Sequence, residues 1–343
     1  MIMTAWLLLT ASIILGAGGA LLVSRYGPQL GLVDVPTDRS SHRQPVPKGG
    51  GVGILCSFLI AAAGLQISPM LWGPIIALSV VSLLGDRYDL SVRNRLAVQF
   101  GMAFFVLVAG VLIQKMSLLG ACSSLVPVTF GIAFFMVFMV GTANYYNFMD
   151  GINGIAAVTG IVAFGLLAWY AFDRGNFSAP VVLCLSLVFA CLGFLPFNMP
   201  RARVFMGDVG SILLGFVFAG MVILLAENFL EFIALAACLF PFYADELTTM
   251  AVRLRDGERL SKPHRRHLYQ LLANEMGIDH WKISLGYGVV QLIVGYGALV
   301  TTRHGFAATL AVLGFSFTAF SAVSFMVRKY ISAGQRQAGP TRS

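Results

Sequence analysis

Long apolar segments, separated by short stretches that hold nearly all of the charge, leave this chain few ways to fold. Within a bilayer every backbone N–H and C=O must be bonded inside its own segment, so runs of roughly 17–25 apolar residues are expected as spanning helices. About eleven such runs fall at 4–23, 51–67, 70–84, 96–113, 125–141, 155–172, 179–197, 209–226, 229–250, 283–300 and 306–327. Tight turns at Ser68-Pro69 and near Glu227 make ten the alternative count. Hydrophobic residues make up 58% of the chain and charged residues 11%, which excludes an ordinary soluble domain. The expected fold class is all-α, a polytopic integral membrane protein with one domain over residues 1–343.

Charge gives the expected orientation. With the N-terminus outside, 20 of the 23 Lys and Arg residues fall on the inner side, leaving Lys115, Arg174 and Arg303 outside. Basic residues accumulate on the cytoplasmic side of membrane proteins, so the tail and the loops at about 25–50, 85–95, 142–154, 198–209 and 251–282 are expected there. The net charge of +8 is then a matter of topology and anionic lipid, with no nucleic-acid partner. Residues 1–23 lack a basic stretch ahead of the apolar run and read as a retained first span. Cys56, Cys122, Cys184, Cys191 and Cys238 show no metal-ligand spacing and read as small core residues.

The chemistry must therefore be assembled from the inner loops. The first carries Asp34, Asp38, Arg39, His42, Lys48 and three glycines, Gly49 to Gly51, whose N–H groups suit an anion ahead of a helix. An ordinary linker is the plainer alternative. The second, Gly85-Asp86-Arg87-Tyr88-Asp89, read alone, is a charged collar at a helix end. The third, Asn144-Tyr-Tyr-Asn147-Phe-Met-Asp150-Gly-Ile-Asn153-Gly154, spaces Asn147, Asp150 and Asn153 by three. On a helical turn these would crowd onto one face, left open by Gly151 and Gly154. The fourth, Phe205-Met-Gly-Asp208-Val-Gly210-Ser211, puts a carboxylate at a helix start, where it either caps the helix or meets a metal–phosphate complex. The fifth runs Lys262-Pro-His264-Arg265-Arg266-His267-Leu-Tyr269-Gln270, a phosphate-binding composition that a positive-inside cluster explains only for its arginines. Hard oxygen ligands and glycines beside a membrane suggest Mg²⁺ and a phosphorylated substrate.

Taken in order along one membrane face, these five loops make the chain resemble the polyprenyl-phosphate N-acetylhexosamine-1-phosphate transferase family over nearly its whole length. That family includes the phospho-MurNAc-pentapeptide translocase, and His264 to Gln270 looks most like its O-antigen-initiating branch. The resemblance implies attack of undecaprenyl phosphate on a UDP-N-acetylamino sugar, giving polyprenyl-diphospho-sugar and UMP, in the bacterial inner membrane with the site facing the cytoplasm. It implies Mg²⁺, with Mn²⁺ as substitute, held by Asp208 and Asn147. Catalytic roles fall on Asp86, Asp150, Asp208 and His267. Substrate binding falls on Lys48, Asn144, Asn153, Gly210, Ser211, His264, Arg265 and Arg266. A 6-deoxy amino sugar is the implied donor, and a homodimer is among the implied assemblies. Gly85 departs from the family, which pairs two aspartates where this chain reads Gly85-Asp86, so either Asp86 or Asp89 covers the missing role or the activity is altered. Two other functions fit less well: an undecaprenyl-phosphate GlcNAc-1-phosphate transferase, and a secondary transporter, whose coupling residues belong at the bilayer midplane.

Overall fold

The computed structural model describes residues 2–37, 40–88, 90–108, 125–175, 177–259 and 264–337. Asp38, Arg39, Asp89, Lys115, Cys122, Lys262, Pro263 and the end of the fourth expected span lie outside them. The described chain is helical apart from one short hairpin, Val33–Asp34 paired with Val46–Pro47. Its helices are α1 Ile2–Tyr26, α2 Val52–Gly64, α3 Pro69–Tyr88, α4 Val92–Val106, α5 Leu125–Phe148, α6 Ile155–Gly175, α7 Ala179–Asn198, α8 Asp208–Leu225, α9 Phe229–Ala236, α10 Phe240–Arg255, α11 Leu268–Gln270, α12 His280–Thr301 and α13 Phe306–Gln337. Eight of the described helices are long and apolar enough to cross a membrane, and α2 is a shorter apolar helix. The protein is a multi-pass membrane protein of all-α class.

The core sits where α6, α7 and α8 are enclosed by their neighbours. Helix α1 packs on α7 and α2, α5 on α8, α12 on α6, and α3 on α8. Burial follows this order: the apolar window of α8 is 78% buried, whereas that of α13 is 6% buried. The expected span 229–250 is interrupted. Helix α9 gives way to a 3-10 turn at Ala237–Leu239 before Pro241 in the first turn of α10, because proline has no N–H to continue the ladder. Gln291, fully buried on α12, donates from Nε2 to the Cys238 carbonyl at 2.7 Å and to the Thr159 carbonyl at 3.1 Å, covering a carbonyl at that break.

The ends of the bundle differ in chemistry. At one end, Arg174 pairs with Glu231 at 2.8 Å and Arg303 with Asp173 at 3.0 Å. At the other end lie the start of α8 and the residues before α2, which are zipped together. Phe205 N–H donates to Pro47 O at 2.8 Å, Gly50 N–H to Phe205 O and Gly51 N–H to Met206 O, each at 2.9 Å. This is a correction to the expected anion cradle, since two of the three glycines spend their N–H groups on the neighbouring backbone. The join turns on Gly207, whose φ of 73° and ψ of 169° belong to a region that other residues rarely enter. A Cβ there would lie 2.7 Å from Gly49 N and 2.9 Å from Asp86 Oδ2. Gly207→Ala is therefore expected to cost at least ~1 kcal/mol. A lowered midpoint of thermal unfolding in detergent checks it, and an unchanged midpoint would contradict this account of the turn.

Candidate active site

The site begins at the amino end of α8. Asp208 occupies the first helical position, yet its side chain does not cap the helix. Oδ1 accepts from Asn147 Nδ2 at 2.7 Å, and Oδ2 accepts from Arg95 Nη1 at 2.8 Å. Asn147 Nδ2 also reaches Ser211 Oγ at 2.9 Å, which itself donates to the Gly207 carbonyl at 3.1 Å. The cap comes from another helix: Asp86, near the end of α3, accepts the Asp208 N–H on Oδ2 at 3.1 Å. Lys48 Nζ stands 3.6 Å from Asp86 Oδ1. Two carboxylates thus share one helix terminus, where the macrodipole favours negative charge, and each has a cation beside it. Gly210 packs with Gly51, where a Cβ on either would meet the other's backbone.

Could this cluster hold a metal? Asp208, Asp86, Asn147 and Ser211 supply hard oxygens, and among the described residues no group of three His, Cys, Asp or Glu side chains is gathered for one. That donor set suits an ion that keeps waters and shares oxygens with substrate phosphates, which is the habit of Mg²⁺.

A cavity of about 760 Å³ opens beside the cluster. Asn144, Asn147, Asp208 and Arg95 form one wall, and Glu246, Arg253, His264, His267 and Gln270 another; Leu78, Val81, Leu96, Ile212 and Met250 supply apolar surface. Asn144 donates to Gln99 Oε1 at 2.6 Å, a second polar contact within the wall. The lining does not include Lys48, Asp86, Asp150, Asn153, Arg265 or Arg266. Helix α5 ends at Phe148, so Asp150 and Asn153 lie in the turn beyond it, off the expected helical face. Asn153 Nδ2 donates to the Pro200 carbonyl at 3.1 Å. Nor is that turn open: a Cβ at Gly151 would strike Tyr269 Oη, and one at Gly154 would strike Met199 Sδ.

The fifth loop is split by its partners. Arg265 pairs with Glu275 at 3.1 Å, and Arg266 with Asp256 at 2.6 Å and with Glu258. The two histidines instead face the cavity, their rings 4.8 Å apart. Burial, then the neighbouring His267 and Arg253, hold His264 down to about 4, so it is neutral at pH 7. The loop is anchored by Asp245 on α10, which is fully buried and accepts from Leu268 N at 2.8 Å, Tyr269 N at 3.3 Å, Thr249 Oγ1 at 3.2 Å and Tyr287 Oη at 2.7 Å. Arg95, Asp245, Glu246 and Arg253 went unnoticed as site residues in the sequence. For the two acids a signal existed, since an Asp-Glu pair inside an apolar run is costly unless it has partners.

Comparison with known proteins defines the class. Residues 68–226 match the family model described as glycosyl transferase family 4. The undecaprenyl-phosphate alpha-N-acetylglucosaminyl 1-phosphate transferase of Thermotoga maritima is 30% identical over 77% of this chain and 80% of its own. A probable undecaprenyl-phosphate N-acetylglucosaminyl 1-phosphate transferase of Bacillus subtilis is 25% identical over 81% and 80%. The phospho-N-acetylmuramoyl-pentapeptide-transferase of Staphylococcus aureus is 35% identical over 50% and 52%. A multi-pass bundle whose cavity brings Asp208 and Glu246 together with Arg93, Arg95 and Arg253, in a chain with these relatives, is a membrane-embedded phosphotransferase. The chain belongs to glycosyl transferase family 4.

Asp150 provides a test of the site's electrostatics. Burial, followed by the charges of Asp208 and Asp86, pushes its carboxyl from 3.8 up to about 7. A raised acid keeps its proton in the folded state while the unfolded chain has lost it. The stability it contributes is therefore complete below pH 3.8 and drains away as pH rises to about 7. Asp150→Asn removes that loss, so its melting temperature is expected to match wild type near pH 4 and to exceed it increasingly up to pH 7. Melting curves of the two proteins across this range decide the point; parallel curves would show that the Asp150 carboxyl titrates alike in the folded and unfolded chain.

Proposed function

We propose that this protein transfers an N-acetylhexosamine 1-phosphate from a UDP-sugar to a polyprenyl phosphate, with UMP as the second product, at the cytoplasmic face of the bacterial inner membrane. The observation that carries this reading is one cavity with Asp208, Asn147 and Arg95 on one wall and His264 and His267 on another. Two anionic substrates meeting in one reaction need such an arrangement, in which charge developing on a phosphoryl group is met by groups already in place.

An oxygen of the lipid phosphate attacks the β-phosphorus of the donor; the bond from that phosphorus to the α,β-bridging oxygen breaks, and UMP leaves with the electron pair. Mg²⁺, held by Asp208 and Asn147 with Asp86 near, would supply neutralising charge on the diphosphate. Arg95 stands ready at Asp208 Oδ2 to accompany that charge, and His267 offers the diphosphate a donor from the opposite wall. Lys48 serves the lipid phosphate, with Asp86 holding it and the start of α8 in place. Arg265 and Arg266 are held by acidic partners outside the cavity lining, so the phosphate role the resemblance gives them requires that they exchange those partners. A dianionic lipid phosphate needs no general base, so Asp86 orients rather than deprotonates. The donor we assign is a 6-deoxy amino sugar, in line with the resemblance of His264 to Gln270 to the O-antigen-initiating branch.

Asp208→Asn keeps the shape of the side chain and removes its charge. UMP release in detergent is expected to fall by at least ~10²-fold while the variant still unfolds in a cooperative melting transition. Near wild-type release from a well-folded variant would take Asp208 out of the site. For orientation, single cysteines replacing Ser41 or Arg201 in a cysteine-free background are expected to resist impermeant thiol reagents in intact cells and to react once the inner face is opened. Labelling of both from outside would invert the topology and separate the site from nucleotide sugars.

A further inference from the structure

Two acidic side chains line the cavity, and they are in opposite situations. Asp208 is satisfied by Asn147 and Arg95. Glu246 is 5% exposed, and its Oε2, shielded from solvent, has no hydrogen bond. His267 Nε2 lies 3.3 Å away without the alignment a hydrogen bond requires. Asp245, one residue earlier, is fully committed to holding the fifth loop, so the two acids have divided roles. A buried carboxylate oxygen without a donor is costly to the free protein, and a ligand that brings a donor relieves the cost.

The chemistry of that ligand group follows from the charge of the wall. A phosphate at neutral pH has little to donate and is repelled by a carboxylate. The group Glu246 accepts is therefore uncharged, a hydroxyl or an amide N–H. On a UDP-N-acetylamino sugar outside the nucleoside, those groups belong to the transferred sugar. The surface beside Glu246 suits the rest of such a ring: Met250 lies one helical turn further on, and Tyr145 Oη reaches its Sδ at 3.7 Å.

We propose that Glu246 is a specificity-determining residue that accepts a hydrogen bond from a hydroxyl or the acetamido N–H of the transferred sugar. This inference rests on the transferase reading above. It assigns the sugar to the Glu246 side of the cavity and the diphosphate to the space between His267 and the α8 wall.

The test measures UMP release by the full chain in detergent with undecaprenyl phosphate and three donors: UDP-GlcNAc, UDP-GalNAc and a UDP-6-deoxy-N-acetylamino sugar. Wild type is compared with Glu246→Ala and the isosteric Glu246→Gln. Glu246→Ala is expected to lower kcat/KM for the preferred donor by ~10²-fold and to shrink the ratio between preferred and poorest donors by at least ~10-fold. The KM for undecaprenyl phosphate should stay constant. Glu246→Gln should fall between, and it carries the test if the Ala variant does not fold. An unchanged donor ratio overturns the proposal, whether all donors slow equally, as for a residue that merely positions His267, or none slows. If wild type releases UMP from no donor, the transferase reading itself falls and takes this proposal with it; an active wild type with unaltered ratios overturns Glu246 alone.

Discussion

Three backbone hydrogen bonds between residues 47–51 and residues 205–206 decide where everything else in the site can stand. They fix the start of α2 against the start of α8, two helices whose first turns would otherwise end in separate loops. Lys48 and Asp208 are thereby brought to the same point from positions far apart in sequence, and Asp86 closes the joint by accepting the first N–H of α8. Helix ends are where a membrane protein carries its unsatisfied backbone groups. Here one such end is completed by a carboxylate from α3, so the architecture and the acidic centre are the same set of contacts.

Much of the bundle was legible because apolar segment length is a physical requirement of the bilayer. The segments 155–172, 179–197 and 209–226 appear as α6, α7 and α8 with ends shifted by a few residues. What the pattern could not show was continuity. The segment 125–141 runs on as helix through Asn144 and Asn147 to Phe148, since polar residues do not by themselves stop a helix. The segment 229–250 breaks before Pro241. Partner choice was less legible still. Asp208 and Asn147 do meet, as their loops suggested, but that Arg95 would join them depends on how α4 packs, which no local spacing encodes. The fifth loop's arginines and histidines are adjacent in sequence and turned to different neighbours in space.

Charge in this protein is managed by saturation. Asp245 collects four donors from three directions, and hydrogen bonds to a charged acceptor are worth about 1.5–3 kcal/mol each, which offsets the cost of burying it. Arg253, 2% exposed, is held by Glu258 and by the Arg259 carbonyl. Against this background Glu246 stands out as a buried acid whose Oε2 is left without a donor.

The contact between Arg95 and Asp208 has a consequence for how the site exchanges ions with its surroundings. A guanidinium already lies on Asp208 Oδ2, so the acidic centre carries its own counterion. Any cation that arrives must share the carboxylate or displace the arginine, and a displaced arginine becomes an unpaired positive charge on the wall of the same cavity. Arrival of a cation therefore creates a place for an anion, and arrival of an anion at Arg95 frees a place for a cation. Gly85, whose Cβ would lie 3.4 Å from Arg95 Cδ, puts no side chain of its own beside that arginine. Loading of opposite charges at this cluster would thus be linked through a single side chain.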